Sequence, residues 1–267
     1  MFTPKKITLA NGKESQEPRS VMPFVIIAIL IALYFSVEMT GFSMSVLLER
    51  GNEFFIYFGR MIPPNFGYIS RIWNPLFDTI KMSLFGSVLG ALLAIPIAVI
   101  SASNIMKNKI VLNLARLFLS IVRTLPTLVI ALIATYVLGI GTLAGTTAIT
   151  IFTFAYIGKL LYEQIETVDM GAFEAMEAMG ATKTQAFIAA IVPQVLPSYI
   201  ANCLFNFEGN VRYAAILGYV GAGGIGQIIN ENIGWREYSN VGIILLVLFI
   251  TVAIIEYVSH YIRKQLT

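Results

Sequence analysis

Glu174-Ala175-Met176-Glu177-Ala178-Met179-Gly180, continuing through Ala181 and Lys183 to Ile191-Val192-Pro193, decides how this chain is read. The stretch suits a helix in contact with water, is broken by a glycine, and lies between two strongly apolar segments. An amphipathic loop between membrane spans is a docking surface for a water-soluble partner.

The apolar flanks are typical of the whole chain. Of its 267 residues, 57% are hydrophobic and 12% charged, against about 25% charged in a soluble domain, and mean hydropathy is +0.77. These values specify an integral membrane protein. A net charge of +3 argues against nucleic acid as a partner. The single cysteine, Cys203, cannot form an internal disulfide, and one Cys with one His, His260, offers nothing for a transition-metal site.

A crossing needs about 20 apolar residues and is helical by default, because lipid satisfies no backbone polar group. Six spans are expected: 21–37, 76–101 with Pro96 as a kink, 112–138, 142–161, 194–217 and 241–260. Gly139-Ile140-Gly141 between the third and fourth leaves room only for a tight reversal. Lys5, Lys6, Lys13 and Arg19 before the first span resemble the start of a signal peptide. Val37-Glu38-Met39-Thr40 is a poor cleavage site, however, and an uncleaved anchor is expected.

Lys and Arg set the orientation. With the N-terminus inside, the inner side collects Lys5, Lys6, Lys13, Arg19, Lys107, Lys109, Arg116, Lys159, Lys183, Arg263 and Lys264, and the outer side Arg50, Arg60, Arg71 and Arg236. Both termini are therefore expected in the cytoplasm, with a tail at 1–20, an external segment at 38–75 and the loop 163–193 inside. In the external segment, Phe54, Phe55, Tyr57, Phe58 and Met61 suggest a helix on the membrane surface, stopped by Pro63-Pro64.

Charges inside a span are costly and usually face the bundle interior or an aqueous path. Ser198, Asn202, Asn206 and Asn210 recur every four residues on one face of the fifth span, and Glu208 and Arg212 are four apart. The face is either a hydrophilic wall for translocation or a set of interhelical hydrogen bonds. Arg123 either snorkels to the interface or holds an anion or a carboxylate. Lys159 and Glu163 fit an ion pair at an inner helix end, and Asp78 and Lys81 an interfacial one. Gly221-Ala222-Gly223-Gly224-Ile225-Gly226 matches G-x-G-x-x-G formally, but the dinucleotide fingerprint needs a preceding strand, and here a membrane span precedes it. Gly221, Gly223 and Gly224 instead suit irregular backbone beside a cavity, or a tight re-entrant turn. With no nucleophile–base pair and no Walker loop, energy must come from another subunit.

From about Arg60 to Arg263 the chain resembles the permease subunit of phosphonate ABC importers. The loop is similar to their Glu-Ala-Ala loop, with Met176 in the third position, Gly180 four residues later and Pro193 thirteen further. Ala190 and Val192 replace the usual Ile and Leu. The other matching blocks run in order: Arg60-Met61-Ile62-Pro63-Pro64-Asn65-Phe66, then Arg123-Thr124-Leu125-Pro126 with Thr127 where an acidic residue is common. Gly158-Lys159-Leu160-Leu161-Tyr162-Glu163 follows, then Pro193-Gln194-Val195-Leu196-Pro197, Phe207-Glu208-Gly209-Asn210-Val211-Arg212, and the glycine cluster. The loop and glycine cluster are shared with methionine permeases. The Gly-Lys-Leu and Asn-Val-Arg blocks narrow the resemblance to the phosphonate group.

The resemblance implies an all-α type I importer permease with a methionine-permease-like domain at 76–267 in the cytoplasmic membrane. It implies a homodimer, two cytoplasmic ATPase subunits that carry ATP and Mg, and an extracytoplasmic phosphonate-binding protein. This chain would bind no cofactor and catalyse nothing. Glu174, Ala175, Met176, Gly180, Ala181, Lys183 and Pro193 would form the ATPase contact. Arg123, Lys159, Asn210 and Arg212, in matching blocks, would join the pathway. Phosphite, hypophosphite, phosphate or another small anion is the alternative cargo, and a passive channel or membrane scaffold without a motor the alternative class.

Overall fold

The computed structural model describes residues 6–8, 14–16 and 21–266. Residues up to Phe58 and from Gly59 onward form two compact units. In the first, the short strands β1 (Lys6–Thr8) and β2 (Glu14–Gln16) pair antiparallel. The rest of the tail read at 1–20 lies outside the described residues. Helix α1 (Met22–Thr40) starts with Pro23 in its first turn, where a missing N–H is harmless, and stops at Gly41 with φ 63°. Its 19 residues span about 28 Å, none of them is buried, and a helix apolar on every side suits lipid. Helix α2 (Met44–Arg60) is amphipathic, with the Phe54 ring 5.6 Å from Phe55 and 5.4 Å from Phe58.

The second unit opens with a 3-10 turn at Phe66–Tyr68, where the Asn65 side chain accepts the Gly67 N–H at 3.1 Å. Helix α3 (Ile69–Ser101) then runs through Pro75 and Pro96 as one element, starting earlier than the expected position 76. Helices α4 (Lys109–Thr124) and α5 (Thr127–Leu138) replace the single span expected at 112–138 and meet at 86°. The cause is Pro126, which lacks an N–H and forces the preceding residue out of the helical region. Leu125 (ψ 121°) and Pro126 (ψ 133°) are both extended. With 16 and 12 residues, neither helix reaches the length of a full crossing by itself.

After the Gly139–Gly141 reversal come α6 (Thr142–Glu166), α7 (Gly171–Ala178), α8 (Lys183–Ala186), α9 (Val192–Leu217), α10 (Ile225–Gly234) and α11 (Tyr238–Leu266). Among the described residues, five helical stretches are long and apolar enough to cross a membrane, or six if α4 and α5 count as one broken span.

Helices α3 and α6 form the most extensive interface. On α3 the buried face is small, with Gly86, Gly90, Ala94 and Ala98 at four-residue spacing, while Phe85, Leu89, Leu92 and Leu93 point outward. Lipid offers no drive to hide large apolar side chains, so helices associate where small residues let backbones approach. A methyl group added at Gly90 would lie 2.6 Å from the Thr150 carbonyl oxygen, and one at Gly86 2.6 Å from Ile149 Cγ2. Gly90→Ala is expected to cost about 1–3 kcal/mol by overpacking, and Gly90→Val more. Thermal unfolding in detergent, followed by tryptophan fluorescence and circular dichroism, checks this. An unchanged midpoint for Gly90→Val would disprove the close approach.

Candidate functional site

Helix α7 ends in a turn that only a glycine makes cheaply. Gly180 has φ 91°, its N–H reaches the Glu177 carbonyl at 3.0 Å, and the Ala181 N–H reaches Met176 at 3.0 Å. These are the two backbone bonds of a Schellman termination. Thr182 then starts α8 with a capping box: its side chain accepts the Gln185 N–H, and Gln185 Oε1 accepts the Thr182 N–H at 2.9 Å. A wide π turn, Phe187–Ile191, joins α8 to α9 directly before Pro193. The proline ring cannot fit against the carbonyl four residues back in a regular helix.

The loop has a wet face and a packed face. Glu174, Ala175, Gly180, Lys183 and Pro193 are exposed, and Met176 and Ala181 are half-buried. Underneath, Phe173, Ala186, Ala190 and Ile191 pack on Ala98 and Ala102 of α3 and its end and on Leu161 and Ile165 of α6. Polar contacts add to this. Glu166 Oε1, at the end of α6, accepts the Ser103 N–H at 2.7 Å, the Ser103 hydroxyl and the Arg116 guanidinium. Arg116 Nε donates to the Ser101 carbonyl at 2.9 Å, and its guanidinium lies 4.9 Å from the Tyr162 ring centre. Gln194 bonds both the N–H and the carbonyl of Asp169. Helices α3, α4, α6 and α9 thus hold the loop as one piece. Sequence reasoning did not single out Glu166 or Ser103 here, because nothing local links residues 50 to 63 positions apart.

Of the polar face expected on α9, Asn206 and Asn210 are buried, Asn202 is half-buried and Ser198 exposed. The Asn210 amide donates among Ser87 Oγ at 2.8 Å, Thr153 Oγ1 at 2.9 Å and Asn206 Oδ1 at 2.9 Å. Thr153 Oγ1 donates to Asn206 Oδ1 at 2.9 Å. This knot ties α9 to α3 and α6. Arg212 pairs with Glu208, whose other oxygen lies 3.6 Å from Arg263 Nη2 of α11. A cavity of about 460 Å³ lies beside the knot, between α6 and α9.

Lys159 pairs with Glu163 at 3.2 Å, and Asp78 with Lys81 at 3.8 Å. Arg123 is exposed in the last turn of α4, just before the bend. Gly221, Gly223 and Gly224 have φ of 79°, 77° and 71°. They form a packed turn: the Gly221 carbonyl accepts the Gly141 N–H at 2.9 Å. The first N–H of α10, on Ile225, donates to Thr79 Oγ1 at 2.7 Å. The Gly221, Ala222 and Ile225 N–H groups are thus taken up within the fold. Helix α10 itself was not expected, although Ile225, Ile228, Ile229 and Asn232 follow a helical spacing.

At the end of the bundle opposite the α7–α8 loop, Asn65, Asn232 and Asn240 form a chain of amides at 2.8 and 3.0 Å, with Asn232 also on the Tyr68 hydroxyl at 3.0 Å. They border a polar hollow of about 590 Å³ with Arg71, Glu231 and Trp235. Among the described residues, no three His, Cys, Asp or Glu side chains converge as metal ligands would.

The described residues thus combine a loop with an exposed polar face, a helical bundle and buried polar contacts inside it. Residues 94–266 match the family described as binding-protein-dependent transport system inner membrane component. The chain belongs to this family. This permease is 33% identical over 210 residues to the phosphate-import permease protein PhnE of Mycolicibacterium smegmatis, covering 78% of this chain but 40% of that protein. It is 34% identical to the phosphite transport system permease protein PtxC of Stutzerimonas stutzeri, covering 78% of this chain and 75% of that one. Its fold is similar to a solved chain of the inward-facing MetNI methionine ABC transporter, with a TM-score of 0.68 at 22% identity, covering 76% of this chain and 99% of that one.

Two substitutions test how the loop is held. Gly180→Ala places a Cβ at a left-handed position, at about 1–2 kcal/mol. Exchange of the Gly180 and Ala181 amides should accelerate about tenfold by hydrogen–deuterium mass spectrometry, and an unaltered rate would refute the turn's dependence on glycine. Arg116→Ala removes a charge-assisted bond worth about 1.5–3 kcal/mol, and less here because both partners are partly exposed. Faster exchange should then extend over residues 101–108 and 166–170, and a change confined to α4 would show that Glu166 is held without Arg116.

Proposed function

We propose that this permease forms half of the membrane pathway of an ATP-driven importer for small phosphorus oxyanions, with phosphonates as the expected cargo and phosphite or phosphate as the alternative. The loop from α7 to α8 carries the reading. Its polar face is free, its turn is fixed by Gly180 and the Thr182 capping box, and its underside is bonded to four helices. A partner gripping that loop would move the bundle with it.

In this reading a second copy of the chain completes the pathway. Two cytoplasmic ATPase subunits, which carry the ATP and Mg, receive the α7–α8 loops, and a binding protein delivers cargo at the opposite end, where the polar hollow around Asn65 and Asn240 lies. The excess of Lys and Arg on the loop side supports a cytoplasmic position for the loop and both termini. Closure of the ATPase dimer draws the two loops together and rocks the bundles outward-open, and hydrolysis returns them. Such alternating access needs only a weak site between the rocking parts. Ser198, Asn202, Asn206, Asn210, Arg212, Arg123, Lys159 and Gly221, Gly223 and Gly224 are the pathway candidates, of which Asn206, Asn210 and Arg212 line a cavity. Similarity to permeases named for phosphate and phosphite import supports the cargo class.

The test is ATP hydrolysis by the reconstituted complex with its binding protein, against alkylphosphonates, phosphite, phosphate and methionine. Stimulation by one or more phosphorus oxyanions and not by methionine is expected. Stimulation by methionine alone would overturn the cargo, and none by any ligand would overturn the coupling role of the loop.

A further inference from the structure

We propose that the cavity between α6 and α9 is a transit site for the phosphorus oxyanion, with the Arg212 guanidinium and the Asn206 amide as its donors. The proposal rests on the cargo class given above and names the groups that would meet it.

Three observations carry it. The first is the donor set. Asn206 is 6% exposed, and its Oδ1 already accepts from Thr153 and Asn210. The hydrogen-bond pattern assigns the oxygen to that end of the amide. Asn206 lines the cavity, and its NH₂ group has no partner among the described residues. The nitrogen is accessible rather than sealed in the core, so an oxyanion in the cavity can accept from it.

The second is Arg212. A guanidinium carries five N–H donors in a planar fork suited to phosphate-like oxygens. Glu208 takes Arg212 by one contact, and no other hydrogen bond or ion pair engages the guanidinium among the described residues. Its side chain is 53% exposed and that of Glu208 4%. Glu208 divides its oxygens between Arg212 and Arg263, so it steadies Arg212 from behind. Arg212 borders the cavity and Glu208 does not, and no carboxylate lines it.

The third is size and wall. A volume of about 460 Å³ falls within the ~300–1,000 Å³ of small-molecule sites. The other walls are aromatic: Phe152 stacks on Tyr156 with centres 5.7 Å apart and meets Tyr213 at 6.1 Å. Such walls offer no strong acceptor or fixed charge to trap an anion, which suits passage.

Gly209 makes the proposal testable without touching its donors. It borders the cavity, and a Cβ built there meets nothing within 4 Å. Gly209→Leu therefore fills the space from a helical position. Complexes of the permease with its ATPase and binding protein would be assembled, checked by size-exclusion chromatography, and placed in liposomes to measure uptake of methylphosphonate and inorganic phosphate. With normal assembly, Gly209→Leu is expected to lower uptake about tenfold or more. Arg212→Gln should raise KM or lower uptake by a similar factor, the equivalent of one lost charge-assisted bond, with partial recovery in Arg212→Lys.

Wild-type uptake in Gly209→Leu, or in Arg212→Gln, overturns the site. Loss of assembly in Gly209→Leu overturns it too, by showing that the cavity seats another helix or a second copy. If the unmodified complex carries neither anion but carries methionine, the cargo reading fails, and the site with it. These failures are distinguishable, because the first two leave wild-type oxyanion uptake intact.

Discussion

Where α3 and α6 cross, glycine and alanine bring two backbones together, and the neighbouring elements take their positions from that crossing. Gly90 lies against the Thr150 carbonyl, and Gly145 against Met82 and the Ala222 carbonyl. Because the axes are this close, Ser87 of α3 and Thr153 of α6 both reach the one amide of Asn210. Thr79, higher on α3, reaches the first N–H of α10. At the other end, Ser101 and Ser103 reach Arg116 and Glu166. A bundle lined by Leu on both sides of this crossing would hold its helices farther apart, and none of these polar contacts would close. In lipid, where large apolar side chains gain nothing by facing inward, packing of small residues and buried hydrogen bonds is what remains to define the arrangement.

The same rigidity ties the surface loop to the middle of the bundle. Residues Lys183 to Leu217 form one helical run, interrupted only by the π turn before Pro193. The second limb of the loop is thus the base of the helix that carries Asn206, Glu208, Asn210 and Arg212. The first limb hangs from α6 through Ile165, Glu166 and the Asn104 amide, which donates to the Ile165 carbonyl at 2.7 Å. Displacement of the loop therefore loads α6 and α9 together, and these are the two walls of the cavity. A mobile loop with few contacts would absorb the displacement instead.

How much of this was legible in the sequence follows from the range of each interaction. The loop could be read because its contrast with the flanking apolar segments is local and its glycine breaks the helix there, whereas the Thr182–Gln185 capping box was not read. The polar face of α9 could be read for the same reason, through a four-residue repeat. The partners of that face could not: Ser83, Ser87 and Thr153 are isolated small polar residues among apolar ones, and only the α3–α6 crossing gives them a common target. The bend at Pro126 had its signal in plain view, but apolar length from 112 to 138 outweighed it. Membrane length criteria count residues and are blind to direction. The helical spacing of α10 was masked by the glycines before it, which read as a turn and are one, with the helix starting immediately after.

A carboxylate beside the proposed anion route looks like an obstacle, and Glu208 is better understood as the condition for having Arg212 there at all. A lone guanidinium within a span is costly and would snorkel or draw in water. A carboxylate one helical turn away on the same helix lowers that cost, and burial of Glu208 against α11 keeps the pair from swinging apart. Arg263 then matters as much as Arg212, because a buried carboxylate held from one side only would be left with an unsatisfied oxygen, itself expensive at this depth. The three side chains form a graded arrangement, with one guanidinium behind, the carboxylate between, and the other guanidinium at the cavity wall. The negative charge faces protein and the positive charge faces the open space. Under the proposal, an anion in the cavity would meet the guanidinium and the Asn206 amide before the field of Glu208, and would leave a site whose charge is already partly compensated. That partial compensation suits a transporter, in which the membrane subunit must let its cargo go.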